Sequence, residues 1–217
     1  GKPLDWWLAG LCGFLITLTR PTGMILTIPF LIVFMQKFSI HTLLTRENWP
    51  QKLNALLTMV LTPAGLLTYI LYQWIALGNP RLFIIGQEHL GLRYFAFPWV
   101  GLYHALHQAV TGGPFAVWCL NDIVFTLGTL VALILGWKQL PLRYSVFSLV
   151  MILFVLCEPS KQDGLLSIPR YLLVLFPIFI LFAIWSKDRF IARCLFIPSI
   201  IFFVIHIIVF VLYGWVS

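Results

Sequence analysis

Long apolar runs alternate with short polar gaps along the whole chain. Three of these runs, residues 53–77, 115–137 and 195–215, are long enough to cross the hydrocarbon of a bilayer as a helix. Two shorter runs, residues 144–157 and 168–185, are interpreted as further membrane helices. The pattern therefore predicts a protein made of apolar helices joined by short polar connections.

Two other short runs near the start lie on either side of the sequence Arg20-Pro21-Thr22-Gly23. Residues 6–19 and 23–36 hold about 14 residues each, and as helices each would rise about 21 Å. That length is less than the roughly 30 Å of a bilayer's hydrocarbon. Because proline and glycine are typical of turns, the pattern predicts a re-entrant hairpin over residues 6–36, with Arg20 at its tip.

The composition places the chain in a broad class. With 61% hydrophobic residues, 10% charged residues and a mean hydropathy of +0.98, the sequence cannot cover a soluble core with polar surface. The net charge of +7 does not indicate nucleic-acid binding, because the basic residues lie singly between apolar runs and form no stripe. We expect an integral membrane protein whose surroundings are lipid, with no nucleic acid.

Basic residues decide between two topologies, since they favour the cytoplasmic side of a membrane. With the hairpin, nine of the fourteen basic residues are cytoplasmic: Lys2, Lys37, Arg46, Lys52, Lys138, Arg143, Lys187, Arg189 and Arg193. If residues 6–36 crossed only once, the basic loops near residues 138 and 187 would face outward. The hairpin topology puts two loops, residues 78–114 and 158–170, on the outer or lumenal face, where we expect the function.

Three charged residues near membrane depth need a partner, water or a ligand, because burying each costs about 2.5–3.5 kcal/mol on insertion scales. They are Arg20, Asp122 and Arg170. In a structural interpretation, Arg20 caps helix carbonyls or pairs with Asp122. In a functional one, Arg170 lies with Pro169 in the first turn of a helix, where backbone donors and an arginine suit an anionic head group.

The long outer loop mixes polar and aromatic residues. From residue 86 to residue 100 the alternation is too irregular for a strand, so we predict an amphipathic helix at the membrane interface. His104 and His107 would share a helix face, but no third ligand follows at a recognisable spacing, and we predict no metal site.

Three stretches, taken in order, resemble the GPI mannosyltransferase 2 family, also called the PIG-V family. They are LTRPTG followed by IPF, then GNPRLFIIGQEHLGLRYFAFPW, then LLSIPRYLLVLFPIF. The second stretch follows a family pattern at Gly78, Asn79, Pro80, Phe83, Gln87, Arg93, Pro98 and Trp99. Where the family often has tryptophan ahead of the arginine, this chain has Leu90, Gly91 and Leu92.

The resemblance implies an all-α, polytopic membrane protein: a helical bundle of the GT-C type with the short re-entrant hairpin and about five further membrane helices. Residues 1–217 would be a single transmembrane domain, the C-terminal part of a larger one. The implied enzyme is a hexosyltransferase of GPI-anchor type biosynthesis. It would move a sugar, mannose by resemblance, from a polyprenyl (dolichyl-type) phosphate donor to a hydroxyl of a glycan or lipid acceptor. No cofactor beyond this donor is implied, and the compartment is the cell membrane or the endoplasmic reticulum membrane.

The resemblance also implies roles for particular residues. Sugar transfer needs a carboxylate to accept the acceptor's proton and cations to stabilise the departing phosphate. The family's carboxylate would lie upstream of residue 1, so we expect this chain to be an N-terminally incomplete fragment that is inactive alone, with Asp122 as a runner-up carboxylate. The donor phosphate would be bound by Arg20, Arg93 and Arg170, because an arginine fork binds phosphate oxygens in pairs.

The remaining candidates are three neighbouring polar side chains of the long outer loop, Gln87, Glu88 and His89. Gln87 and His89 would bind sugar or acceptor hydroxyls, and Glu88 would orient Arg93. Two other classes stay open. A lipid or sugar carrier would use the hairpin as a gate, although the sequence has none of the repeated halves typical of transporters. A structural subunit would lose folding and activity together when these arginines are replaced.

Overall fold

The computed structural model describes residues 3–38, 49–89, 93–112, 116–161, 164–165 and 168–212. The regular elements in these ranges are helices, which confirms the all-α prediction, and two isolated bridges join short extended segments. Lys2 and Arg46, both predicted to be cytoplasmic, lie outside the described residues.

The helices are named in chain order. They are α1 (Pro3–Thr19), α2 (Thr27–Lys37), α3 (Trp49–Leu77), α4 (Leu82–His89), α5 (Pro98–Thr111), α6 (Ala116–Gly136), α7 (Leu142–Leu156), α8 (Ile168–Leu172), α9 (Phe176–Trp185) and α10 (Arg189–Val211), with a 3-10 turn at Pro21–Leu26. Among the described residues, α3, α6 and α10 are long and apolar enough to cross a membrane. Helices α7 and α9 hold 15 and 10 residues, fewer than a full crossing needs.

The predicted membrane segment at residues 168–185 is interrupted. Helix α8 ends at Leu172 and α9 begins at Phe176, with Leu175 outside helical geometry at φ −78° and ψ 63°. Pro177 lies in the first turn of α9 and has no N–H with which to continue a helix from α8. Two short helices therefore replace one.

The chain divides into two compact units. The first comprises Gly1–Leu92 and Pro141–Met151, and the second comprises Arg93–Leu140 and Ile152–Ser217. Helix α7 contributes its first part to the first unit and its last part to the second.

In the first unit, α1 packs closely along α3 through small residues. A Cβ added at Gly65 would overlap the carbonyl oxygen of Phe14, so the two backbones meet directly there. The hydroxyl of Thr58 donates a hydrogen bond of 2.7 Å to the carbonyl of Trp6 on the other helix. Small residues and interhelical hydrogen bonds of this kind hold helices together where lipid takes the place of water.

The contacts also fix the directions of the first three helices. Trp6 meets Thr58 and, further along both helices, Phe14 meets Gly65, so α1 and α3 run parallel. Helix α2 returns toward the beginning of α1, because the Lys37 Nζ lies 5.4 Å from the centre of the Trp6 ring. Residues 6–36 thus form a helical hairpin whose tip is the 3-10 turn. This order of directions is the one expected for a hairpin followed by a helix long enough to cross the membrane.

In the second unit, α5, α8 and α9 pack against α6. One face of α6 is buried and includes the residues Cys119, Asp122, Ile123, Thr126, Thr129, Ala132, Leu133 and Gly136. Helix α10 differs, because it has no buried residue and touches α6 through ring contacts such as Phe125 with Phe202. A largely apolar helix without a buried residue suits a lipid environment.

Candidate functional site

Residues 93–97 are extended and do not belong to an interfacial helix, so the helix predicted over residues 86–100 is wrong in this part. Helix α4 ends at His89, and α5 begins at Pro98. Phe97 has φ −66° and ψ 148°. The residue before a proline is forced out of helical geometry, which explains why the chain is extended here.

The extended segment pairs with the beginning of the second outer loop. The Tyr94 N–H donates to the carbonyl of Pro159 at 3.2 Å, and the Ala96 N–H donates to the carbonyl of Cys157 at 2.9 Å. Arg93 forms an antiparallel bridge with Ser160. The two predicted outer loops, far apart in sequence, therefore meet within the second unit.

The second outer loop is held by tight backbone contacts. Ser160 and Gly164 exchange hydrogen bonds of 3.2 and 3.1 Å, which closes a small turn. Gly164 has φ +76°, a conformation that other residues rarely adopt, and a Cβ added to it would lie 2.6 Å from the carbonyl oxygen of Gly101 in α5. Ser160 and Leu165 are buried at 1% exposure. The loop is thereby packed against α5.

Arg93 is the residue that joins these segments. Its side chain is 8% exposed, and its NH1 group donates to the backbone carbonyl of Glu158 at 3.3 Å. The guanidinium lies 4.8 Å from the centre of the Tyr171 ring, within the range of a cation–π interaction. Arg93 thus connects the extended segment, the second loop and α8.

Arg170 lies next to this contact in the chain and has a different environment. It is exposed on α8, one residue before Tyr171. Two of the three arginines predicted to bind phosphate are therefore linked through Tyr171: Arg93 is buried against its ring, and Arg170 is the exposed neighbour in the chain. The exposed one can reach a ligand, and the buried one can hold the helix that carries it.

Glu158 adds a carboxyl group to this cluster. It lies between α7 and α8 and is half-buried. Burial raises the pKa of Glu158 above its ordinary value of 4.5, and the positive charge of Arg93 opposes this with a smaller effect. A carboxyl with an increased affinity for protons beside a cation is a combination found at functional sites.

Glu158 and Tyr171 are not among the candidate residues predicted from the sequence. Glu158 was visible as an acid directly after an apolar run, and Tyr171 as the neighbour of Arg170. They join the candidate site only through their contacts with Arg93, which precedes both by more than 60 residues. A single sequence contains no signal for that contact.

The other candidates lie elsewhere. Arg20 belongs to the first unit, where it is exposed before the 3-10 turn, and its N–H donates to the Ile16 carbonyl at 2.8 Å. Gln87, Glu88 and His89 are at the end of α4 in the same unit, and the last two side chains are exposed.

Asp122 lies on the buried face of α6 in the second unit and is 2% exposed. Its backbone carbonyl accepts a hydrogen bond of 2.6 Å from the Thr126 hydroxyl. This burial favours the packing role for Asp122 over contact with a substrate.

The two histidines of α5 contact an aromatic ring. The His104 and His107 rings lie 6.0 and 6.4 Å from the ring of Tyr103. Across the described ranges, no cluster of three histidine, cysteine or acidic side chains is arranged to hold a metal ion.

Comparison of the chain with protein-family models, with curated proteins and with solved structures finds no match. The family resemblance of the sequence motifs therefore stays a prediction.

Proposed function

We propose that the chain is part of a membrane glycosyltransferase of the GT-C type, acting on the outer or lumenal face of a cell or endoplasmic reticulum membrane. It transfers a sugar, mannose by the motif resemblance, from a polyprenyl phosphate to a hydroxyl of a glycan or lipid acceptor. The observation that carries the proposal is the cluster of Arg93, Glu158 and Tyr171 beside the exposed Arg170.

The cluster offers the two chemical groups that this reaction needs. The acceptor oxygen forms a bond to the anomeric carbon, the bond from that carbon to the phosphate oxygen breaks, and the acceptor's proton goes to a carboxylate. In the proposal Glu158 is the carboxylate. The polyprenyl phosphate leaves with the electron pair of the broken bond, and Arg170 stabilises its charge by a paired hydrogen bond.

Arg93 acts as a positioning residue in this proposal. Its guanidinium is buried and occupied by the Glu158 carbonyl and the Tyr171 ring, so it holds the base and the Arg170 helix in one arrangement. Arg20, Gln87, Glu88 and His89 stay proposed donor-binding and substrate-binding residues of the first unit. As the proposed base, Glu158 replaces the upstream carboxylate implied by the resemblance, because its own carboxyl lies beside Arg93. It also replaces the runner-up Asp122, because Glu158 is the more exposed of the two.

The test measures mannose transfer in proteoliposomes containing the full chain and radiolabelled polyprenyl phosphate mannose. Removing a charged hydrogen bond costs about 1.5–3 kcal/mol, so Arg170→Ala should lower kcat/KM by roughly 10- to 100-fold. Glu158→Gln should lower kcat with little change in KM, because the base acts in the chemical step. Arg81→Ala is the matched control, since Arg81 is an exposed arginine of the first outer loop outside the cluster.

Equal losses for Arg81→Ala and Arg170→Ala would contradict a specific phosphate contact. The wild type could fail to transfer sugar from any lipid-linked donor and instead move the labelled lipid across the bilayer. That result would contradict the transferase proposal and favour a carrier. Arg20→Ala in the same assay tests the contribution of the hairpin tip.

A further inference from the structure

A surface cavity of about 730 Å³, wide open on one side, lies at the end of helix α6, on the side predicted to be cytoplasmic. It is lined by Ile134, Leu135, Trp137, Lys138 and Gln139. The side chains of Ile134 and Leu135 are 72% and 67% exposed and form an apolar wall. Lys138 follows them, so the lining changes from hydrocarbon to cation within one helical turn. A phospholipid presents its acyl chain and its phosphate in the same order.

A second basic segment is tied to this cavity by a side-chain hydrogen bond. The Nε1 of Trp185, at the end of α9, donates to the Oε1 of Gln139 at 2.8 Å. The connection from α9 to α10 follows directly and carries exposed Lys187 and Arg189. This connection and the residues that line the cavity belong to the second unit. Lys138 thus lines the cavity, and Lys187 and Arg189 follow within four residues of the Trp185 that bonds to its lining.

The carboxylate of Asp188, which lies between Lys187 and Arg189 in the chain, already accepts backbone hydrogen bonds. The Asp188 carboxylate accepts hydrogen bonds from the N–H groups of Phe190 and Ile191, at 2.7 and 3.2 Å, and so caps α10. This cap uses the backbone donors that an anion would otherwise find at the helix N-terminus. An anionic ligand here must therefore be bound by the basic side chains, and the local charge remains positive.

We propose that this cavity binds an anionic glycerophospholipid of the surrounding leaflet. Its phosphate lies at Lys138 with Lys187 and Arg189 around it, and an acyl chain lies along Ile134 and Leu135. Trp137 and Trp185 stand at the level of the head groups, the depth that tryptophan prefers in membranes. Basic pockets at the cytoplasmic end of membrane helices suit anionic head groups, and a zwitterionic lipid gains less from the same charges. The site is independent of the proposed sugar transfer.

Fluorescence quenching tests this proposal on the full chain in mixed micelles. Dibrominated phosphatidylglycerol and dibrominated phosphatidylcholine are titrated separately, and quenching of tryptophan emission gives a relative binding constant for each lipid. We expect the wild type to prefer phosphatidylglycerol. Each basic residue near the head groups contributes about 1 kcal/mol, so Lys138→Gln should reduce the preference about fivefold.

Two variants separate a specific site from general charge. Lys138→Arg keeps the cation and should keep the preference, whereas Arg81→Gln removes an exposed charge of the first unit and should also leave it unchanged. An equal affinity of the wild type for both lipids would overturn the proposal. So would a Lys138→Gln titration that matches Arg81→Gln, or displacement of the brominated lipid by millimolar glycerol phosphate, which would assign the site to a soluble phosphate.

Discussion

The guanidinium of Arg93 lies 4.8 Å from the centre of the Tyr171 ring, although 77 residues separate the two in the chain. The same guanidinium donates to the Glu158 carbonyl. Arg170 is the neighbour of Tyr171, so the buried arginine contacts the helix that carries the exposed one. In the proposed site, Arg93 is therefore a supporting residue, and Arg170 is the proposed phosphate contact.

Replacing Tyr171 should separate the ring's contribution from that of its hydroxyl. Tyr171→Leu removes the aromatic face under Arg93 and should lower the free energy of unfolding by about 0.5–2 kcal/mol. Tyr171→Phe keeps the face and should stay close to the wild type. Chemical unfolding in detergent, followed by circular dichroism, measures both variants. Equal stabilities of the two would show that the ring does not support the arginine.

The pH dependence of stability should show the effect of burying Glu158. Because its pKa is higher in the folded protein than the ordinary value of 4.5, the folded state binds more protons than the unfolded chain between these two values. The contribution of Glu158 to the free energy of unfolding should therefore be greatest below this window and fall as the pH rises through it. Glu158→Gln has no proton to lose and should lack this decline.

The comparison is made by unfolding the wild type and Glu158→Gln at a series of pH values from 4 upward. The matched control is Glu88→Gln, which removes an exposed carboxyl of α4. This variant keeps Glu158, so its free energy of unfolding should still fall as the pH rises. A wild type whose stability rises through the window relative to Glu158→Gln would mean that Arg93, and not burial, dominates the pKa of Glu158.

Much of the helical architecture could be predicted from hydrophobic runs, since the three long runs became α3, α6 and α10. Local patterns did not reveal the extended residues 93–97, because the N–H groups of Tyr94 and Ala96 are satisfied by carbonyls of a loop more than 60 residues away. The break before α9 was foreseeable from Pro177. Arg93 and Arg170 were candidate residues from the sequence. Glu158 could not be selected in the same way, because its contact with Arg93 exists only in the folded chain.

The hydrogen bond between Thr58 and Trp6 should contribute measurably to the packing of α1 on α3. Thr58→Val keeps the shape and removes the hydroxyl that donates to the Trp6 carbonyl, so we expect a loss of about 0.5–1.5 kcal/mol. Thr68→Val is the control, because the Thr68 hydroxyl bonds to the Ala64 carbonyl of its own helix. Unfolding in detergent should place the control near the wild type. A control that is as unstable as Thr58→Val would assign the loss to the helix itself.

Two glycine-to-alanine substitutions test this packing, because one should lower the free energy of unfolding and the other should raise it. A Cβ at Gly65 would overlap the Phe14 carbonyl oxygen, so Gly65→Ala forces α1 and α3 apart and should cost about 1–3 kcal/mol. Gly128 is a helical glycine of α6 with no heavy atom within 4 Å of the added Cβ. Gly128→Ala should therefore stabilise the protein by about 0.5–1 kcal/mol, because alanine loses less backbone entropy in a helix. Parallel thermal unfolding of both variants in the same detergent measures the difference, and a stabilised Gly65→Ala would mean that the two backbones do not meet at this position.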